Sequence, residues 1–234
     1  MKVVECLVIW ISLVSIYKCN ENMKFLEAFH DYNMYVLSIQ LPTTICFTTP
    51  NDCDEKMKSV PKNVMTLHGL WPSVLGEKLE DCNTGKHIDI VFPDSQFNIT
   101  MNRYWPSLMG PNKHFWDHEY NKHGYCWVIK YDRTDPDDFF RMTIGLYKDK
   151  DLDQILIKGG FDLTPGKQSF TYNELRTKFD KVVYHNFDMH CIDYSNEQYL
   201  IDIYLYLDLN FRSLDSHKGL TSCDKNKPIN LIFR

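Results

Sequence analysis

YLIDIYLYLDL, residues 199–209, is the segment in which apolar side chains alternate most strongly. Successive side chains of a β-strand point to opposite sides, so Leu200, Tyr204 and Tyr206 share one face. The opposite face carries five aliphatic residues, Ile201, Ile203, Leu205, Leu207 and Leu209. The pattern predicts a strand with one buried face.

Shorter apolar runs before this segment predict strands at residues 35–41 and 63–70. Helical patterns occupy residues 115–123, 136–147, 151–158 and 172–183. Thr171, with Glu174 three residues later, forms a capping box at the start of the last helix. Because strands and helices do not alternate regularly, we expect an α+β fold, with an antiparallel sheet and several helices packed against it.

The composition indicates a single folded domain. Of the 234 residues, 44% are hydrophobic and 24% charged, which provides enough apolar surface to offset the entropy of folding. No repeat and no Gly-, Ser- or Pro-rich linker divides the chain, so we assign residues 21–234 to one domain. The formal net charge of −5 creates no positive field toward nucleic acid or anionic membranes, and an anionic ligand therefore needs a local site.

The N-terminus resembles a secretory signal. Lys2 precedes an apolar run at residues 6–16, which is followed by polar residues. As a helix the run would span roughly 16 Å, well short of a bilayer core of about 30 Å. We therefore predict a signal peptide at residues 1–20, without a clear cleavage motif, and an extracellular protein. A short buried helix or an uncleaved anchor is the alternative.

The cysteine count agrees with secretion. Cys6 and Cys19 lie in or beside the signal, and six cysteines remain, Cys46, Cys53, Cys82, Cys126, Cys191 and Cys223. Six cysteines allow three disulfides in fifteen possible pairings. No Cys-x-x-Cys pair supports a zinc site. The tripeptide Asn98-Ile99-Thr100 is an acceptor for N-glycosylation.

FWDHEYNKHG, residues 115–124, collects charged side chains on one predicted helix, which Gly124 is placed to end. At 100° per residue one face carries four polar side chains, His118, Glu119, Lys122 and His123. A solvated charged face is the alternative. The zinc-protease pattern H-E-x-x-H is not met, because position 122 is lysine and His123 would point about 140° away from His118.

MTLHGLWP, residues 65–72, places His68 at the end of a predicted strand. Gly69 permits a close backbone approach, and Trp71 could either stack on a ligand or pack beneath the strand. Alone, His68 could equally be a hydrogen-bonded structural residue.

Together the two segments contain the groups for metal-independent RNA cleavage, in which one histidine takes the 2′-OH proton and another protonates the leaving 5′-oxygen. They resemble the two active-site boxes of the ribonuclease T2 family, H-G-L-W-P and F-W-x-H-E-x-x-K-H-G. The segments QLP at 40–42, YWP at 104–106 and HGYC at 123–126 resemble further parts of that family. The likeness covers most of the chain after the signal.

This resemblance implies a secreted endoribonuclease with a ribonuclease T2-like catalytic domain. His68 would be the general acid and His123 the general base, with Glu119 and Lys122 stabilising the pentacoordinate phosphate. His118 would contact phosphate. Four residues would contact the bases, Gln40, Ser107, Leu108 and Phe115. The resemblance implies single-stranded RNA as substrate, a 2′,3′-cyclic phosphate as first product, a monomer, no cofactor, no metal, and neither DNA nor a membrane as partner.

The resemblance also implies a disulfide pairing and a choice of biological roles. The pairs would be Cys46–Cys53, Cys82–Cys126 and Cys191–Cys223. Tyr206 occupies the position of a cysteine common in the plant branch, while Leu41 and Tyr125 depart from the family pattern near the site. A pistil self-incompatibility ribonuclease with a recognition partner is one role; a defence or nutritional ribonuclease and a catalytically silent recognition or storage protein are the alternatives.

Overall fold

The computed structural model describes residues 32–49, 53, 57–58, 60–74, 77–78, 87–133, 135–184, 186–214 and 221–234. The predicted signal peptide, residues 1–20, and Cys82 lie outside these residues. Within the described residues, no helix has the length and apolar character needed to cross a membrane.

A seven-stranded, largely antiparallel sheet forms the centre of the fold. Its strands are β1 (Met34–Gln40), β2 (Thr66–Val74), β3 (Glu77–Lys78), β4 (Gly166–Phe170), β5 (Phe187–Tyr194), β6 (Glu197–Leu207) and β7 (Ile229–Phe233). The order is β3-β2-β1-β6-β7-β4, and β5 pairs with β6. β6 and β7 run parallel, whereas the other pairs are antiparallel.

β6 confirms the strand predicted at residues 199–209, but the expectation of one buried face was wrong. Nearly every side chain of β6 is buried, because β1 and β5 flank the strand and both faces of the sheet are covered. On one face Tyr204 and Tyr206 join a core cluster with Trp71. On the other, Phe187, the partner of Leu205, contacts the ring of Phe179 from a helix. β6 is therefore a central strand.

Helices are present at all four predicted places, with differences at their ends, whereas the helices Pro42–Thr48, Ser95–Tyr104 and Tyr125–Lys130 were not predicted. Their bounds are α1 (Pro42–Thr48), α2 (Ser95–Tyr104), α3 (Asn112–Glu119), α4 (Tyr125–Lys130), α5 (Pro136–Asp149), α6 (Ile155–Lys158) and α7 (Tyr172–Val183). A 3₁₀ turn at Leu152–Gln154 precedes α6. The capping box of Thr171 and Glu174 is present at the start of α7.

Gly124 does not end the helix predicted at 115–123. A π-helical turn, Tyr120–Gly124, connects α3 to α4, and Gly124 keeps a right-handed helical φ of −63°. A Cβ atom at Gly124 would lie 2.8 Å from the ring of Phe139. The glycine therefore permits close helix packing, and the π turn inserts one extra residue, a device common at functional sites.

Two of the three implied disulfides are formed by described residues, Cys46–Cys53 and Cys191–Cys223. Cys126 is buried and disulfide-bonded, while its implied partner Cys82 lies outside the described residues. Tyr206 is buried, and its hydroxyl donates a hydrogen bond to Asp188 at 2.8 Å. A buried tyrosine–carboxylate contact thus joins β6 to β5 at this position.

Candidate active site

A β-bulge positions His68. Gly69 pairs with Ser38 and Leu67 with Ile39, so His68 is the extra residue between two pairs of the β1–β2 ladder. Bulges turn a side chain away from the regular pleat and recur beside active sites. The backbone carbonyl of His68 accepts a hydrogen bond from Trp105 Nε1 at 2.8 Å. This contact joins the YWP segment to the first box and leaves the His68 side chain partly exposed, at 32%.

Asp202, which is not among the predicted site residues, holds the His68 ring. Asp202 Oδ1 lies 3.1 Å from His68 Nδ1, and Asp202 Oδ2 lies 3.5 Å from His190 Nδ1. Burial raises the pKa of the Asp202 carboxyl, but the charge on His68 and the hydrogen bonds from both histidines outweigh this and lower it to about 2. An acidic residue inside the apolar run 199–209 was the signal that could have revealed it.

Glu119 lies buried on the other side of the His68 ring. Glu119 Oε2 accepts a hydrogen bond from Trp71 Nε1 at 3.0 Å, and Oε1 lies 4.0 Å from His68 Nε2. Burial raises the pKa of the Glu119 carboxyl, although His68, Trp71, His118 and Lys122 each lower it. Glu119 can therefore carry a proton in a range of pH where an ordinary glutamate is ionised.

Gly69 makes room for this carboxyl, and replacing it with alanine is expected to destabilise the fold by about 1–3 kcal/mol through overpacking. Its Cβ would clash with Glu119 Oε2 and Trp71 Nε1, the two atoms of the buried hydrogen bond. Urea unfolding of Gly69→Ala measures the effect. Gly145→Ala is the control, because a Cβ at that position on α5 would meet nothing within 4 Å. Equal stability of the two variants would contradict the expectation.

Trp71 lies between the two histidines of the predicted catalytic pair. Its ring centroid is 5.2 Å from that of His68 and 5.5 Å from that of His123. Trp71 is buried, so packing beneath the site, rather than stacking on a ligand, is the arrangement found. His123 is buried in the π turn, and Lys122 in the same turn is half-buried.

A cavity of about 480 Å³ opens beside His68. Six predicted site residues line it, Gln40, His68, Ser107, Leu108, Phe115 and His118. The Phe115 ring centroid lies 5.8 Å from that of His68. Gln40 is held in place because its side-chain amide donates to the carbonyl of Leu67 at 3.3 Å. His114, one turn before His118 on α3, also lines the cavity and was not predicted.

One group of described side chains, His87, Asp89 and Asp117, has the spacing of metal ligands. The ammonium of Lys113 lies 2.8 Å from Asp89 and 2.6 Å from Asp117. One ammonium of the protein itself thus bridges the two carboxylates, and none of the three residues belongs to the predicted catalytic set.

The profile of the ribonuclease T2 family matches residues 32–227. The chain belongs to the ribonuclease T2 family. Its curated relatives include Ribonuclease T2 of Homo sapiens, 30% identical over 139 residues, or 56% of this chain and 48% of the human protein. The match thus spans about half the length of that relative. Ribonuclease S-3 of Petunia hybrida is 25% identical over 212 residues, 87% of this chain and 90% of the Petunia protein.

Solved structures of this family have the same fold. The self-incompatibility associated SF11-RNase of Nicotiana alata superposes with a TM-score of 0.68 at 23% identity, covering 87% of this chain and 100% of that one. RNase NT in complex with 5′-AMP superposes with a TM-score of 0.68 at 22% identity, covering 85% of this chain and 97% of that one. These likenesses agree with the predicted α+β fold.

Proposed function

We propose that this ribonuclease T2 family member is an endoribonuclease that cleaves single-stranded RNA without a metal ion. The observation that carries the proposal is that His68 and His123 both lie against the buried indole of Trp71. Asp202 orients the His68 ring, which faces Glu119. Nδ1 of His68 faces Asp202, so Nε2 is the nitrogen available to a substrate.

In the proposed first step His123 removes the proton from the ribose 2′-OH, and the 2′-oxygen attacks the adjacent phosphorus. The bond between phosphorus and the 5′-oxygen breaks, and His68 donates its Nε2 proton to that oxygen. The products are a 2′,3′-cyclic phosphate and a free 5′-OH. Hydrolysis of the cyclic phosphate then uses the two histidines in exchanged roles.

The phosphate gains negative charge as the 2′-oxygen attacks, and groups around the histidines are suited to stabilise it. Lys122 supplies positive charge from the π turn beside His123. A protonated Glu119 can donate a hydrogen bond from Oε1, the oxygen that faces His68 Nε2. His118, exposed at the end of α3, is the further phosphate contact.

The cavity beside His68 suits the base of the departing nucleoside. Since His68 protonates the 5′-oxygen of the leaving group, the nucleoside attached to that oxygen lies on the His68 side of the phosphate. Phe115 offers an aromatic face to this base, and Gln40, Ser107 and Leu108 line its surroundings. A base in this cavity requires an unpaired strand, which supports single-stranded RNA as the substrate.

The remaining sequence features support a secreted protein. The apolar run at 6–16 supports a signal peptide at residues 1–20, and the disulfides suit an oxidising compartment. Asn98 is exposed on α2, which leaves its side chain accessible for glycosylation. A pistil self-incompatibility role with a recognition partner and a defence or nutritional role both fit, and the tissue of expression distinguishes them.

The test compares a single-stranded RNA, the matching DNA and the same RNA with one 2′-deoxy nucleotide, all in the presence of EDTA. We expect cleavage of the RNA alone, protection at the bond after the 2′-deoxy nucleotide, and a 2′,3′-cyclic phosphate as first product. DNA cleavage, or inhibition by EDTA that a divalent metal reverses, would contradict the mechanism.

A further inference from the structure

Asp202 contacts two histidines from different strands. On β6 it is directly opposite Gln40 of β1 and His190 of β5, and its side chain is buried. Oδ1 contacts His68, as well as Ser38 Oγ at 3.5 Å, while Oδ2 contacts His190. A buried carboxylate is costly unless cations or donors compensate for it, and the two imidazoles do so.

His190 is built into the sheet and remains accessible to solvent. Its ring stacks on Tyr204, with centroids 5.4 Å apart and planes 24° apart, and its side chain is 33% exposed. A register shift between His190 and Cys191 leaves Ile201 as the extra residue of β6, next to Asp202. Irregular pairing therefore occurs at both histidines, at His68 in β2 and beside His190.

We propose that Asp202 is a positioning residue for His68, and that His190 shares its carboxylate and thereby controls how firmly His68 holds the proton it donates. This inference rests on the proposed function, because it assigns a role to His68 as the acid. His190 does not line the cavity beside His68, so it acts through Asp202 rather than on substrate.

The two partners of His68 have opposite electrostatic effects. The negative charge of Asp202 favours the protonated form of His68, and its contact with Nδ1 leaves Nε2–H pointing toward the substrate. A cationic His190 offsets part of that negative charge and so favours release of the proton. Titratable groups of the described residues near this network include Glu119 beside His68, His118 and Lys122 beside Glu119, and Tyr204, whose ring stacks on His190.

The test is the pH profile of RNA cleavage by two substituted enzymes. In Asp202→Asn the alkaline limb of the pH profile, where kcat/KM falls as the pH rises, should move to lower pH by about one unit. At the pH optimum kcat/KM should fall by about 10–100-fold. In His190→Asn, which keeps a donor for Asp202 but removes the charge, the alkaline limb should move to higher pH. A purely structural role would not move the limb in opposite directions.

Asp188→Asn is the matched control, since Asp188 is a buried carboxylate of β5 that accepts a hydrogen bond from Tyr206. It should leave the alkaline limb in place. Unshifted limbs in Asp202→Asn and His190→Asn, or shifts in the same direction, overturn the inference. If Asp202→Asn does not fold, the direction of the shift in His190→Asn decides alone. Full cleavage by His68→Asn would instead overturn the proposed function.

Discussion

Replacing His68 or His123 with asparagine is expected to lower kcat for RNA by about 10²–10⁴-fold, the usual contribution of a general acid or base. Asparagine retains hydrogen bonding and similar volume but cannot exchange a proton near neutral pH. The fold should tolerate the change at His68, whose side chain is partly exposed. Since both histidines act in the same step, the decrease in kcat of the double variant should be much smaller than the product of the fold-decreases of the two single variants.

The pH profile distinguishes the roles of the two histidines. His123→Asn removes the group that must be unprotonated and should abolish the acidic limb, whereas His68→Asn should abolish the alkaline limb. His87→Asn is the control, because His87 is largely exposed and lies 4.0 Å from Asp117, outside the proposed machinery. Wild-type turnover in either catalytic variant, or a loss equally large in His87→Asn, would contradict the assignment.

The residues of the two boxes could be found from the sequence because their chemistry is local. His118, Glu119, Lys122 and His123 fall within six residues, and a helix of any regular kind brings them close together. The extra residue of the π turn could not be anticipated from a 100° periodicity. It depends on Gly124 packing against Phe139, a contact with a distant helix.

Asp202 could not be found in the same way, because its role depends on three strands. Within 199–209 it shares one face with Leu200 and with a second acidic residue, Asp208, and a strand with a solvated side would explain both acidic residues equally well. The β1–β2 bulge that turns His68 toward it follows from the pairing register. Register also determines that β6 is central, so that both its faces are buried. Local alternation predicts a strand, but not how many neighbours cover it.

Glu119→Ala is expected to lower kcat by about 10²–10³-fold, the cost of losing one donor to a developing oxyanion. Glu119→Gln should lose at least tenfold less activity, since a side-chain amide can still donate toward the phosphate and accept from Trp71. The physical reason is burial, which raises the pKa of Glu119 and so favours its protonated form. Equal losses in both variants would show that Glu119 acts through its negative charge.

The same burial predicts that Glu119→Gln raises the free energy of unfolding by about 0.5–2 kcal/mol. Substitutions of functional residues often stabilise a protein in this way, because such residues lie in environments that are unfavourable to the fold. The pKa of Glu119 is raised above its usual 4.5, so the folded state holds the proton more tightly than the unfolded chain. The cost of ionising Glu119 in the fold is therefore absent below pH 4.5 and grows as the pH rises through the folded pKa.

The gain in Tm of Glu119→Gln over wild type should accordingly be small near about pH 4 and larger near about pH 7. The Tm difference between Glu197→Gln and wild type should have the opposite sign. Hydrogen bonds from Lys167 and Tyr199 lower the pKa of Glu197, so these contacts stabilise the fold when Glu197 is ionised. The Tm of this variant should fall below that of wild type as the pH rises. Parallel pH dependence in the two variants would contradict burial as the cause at Glu119.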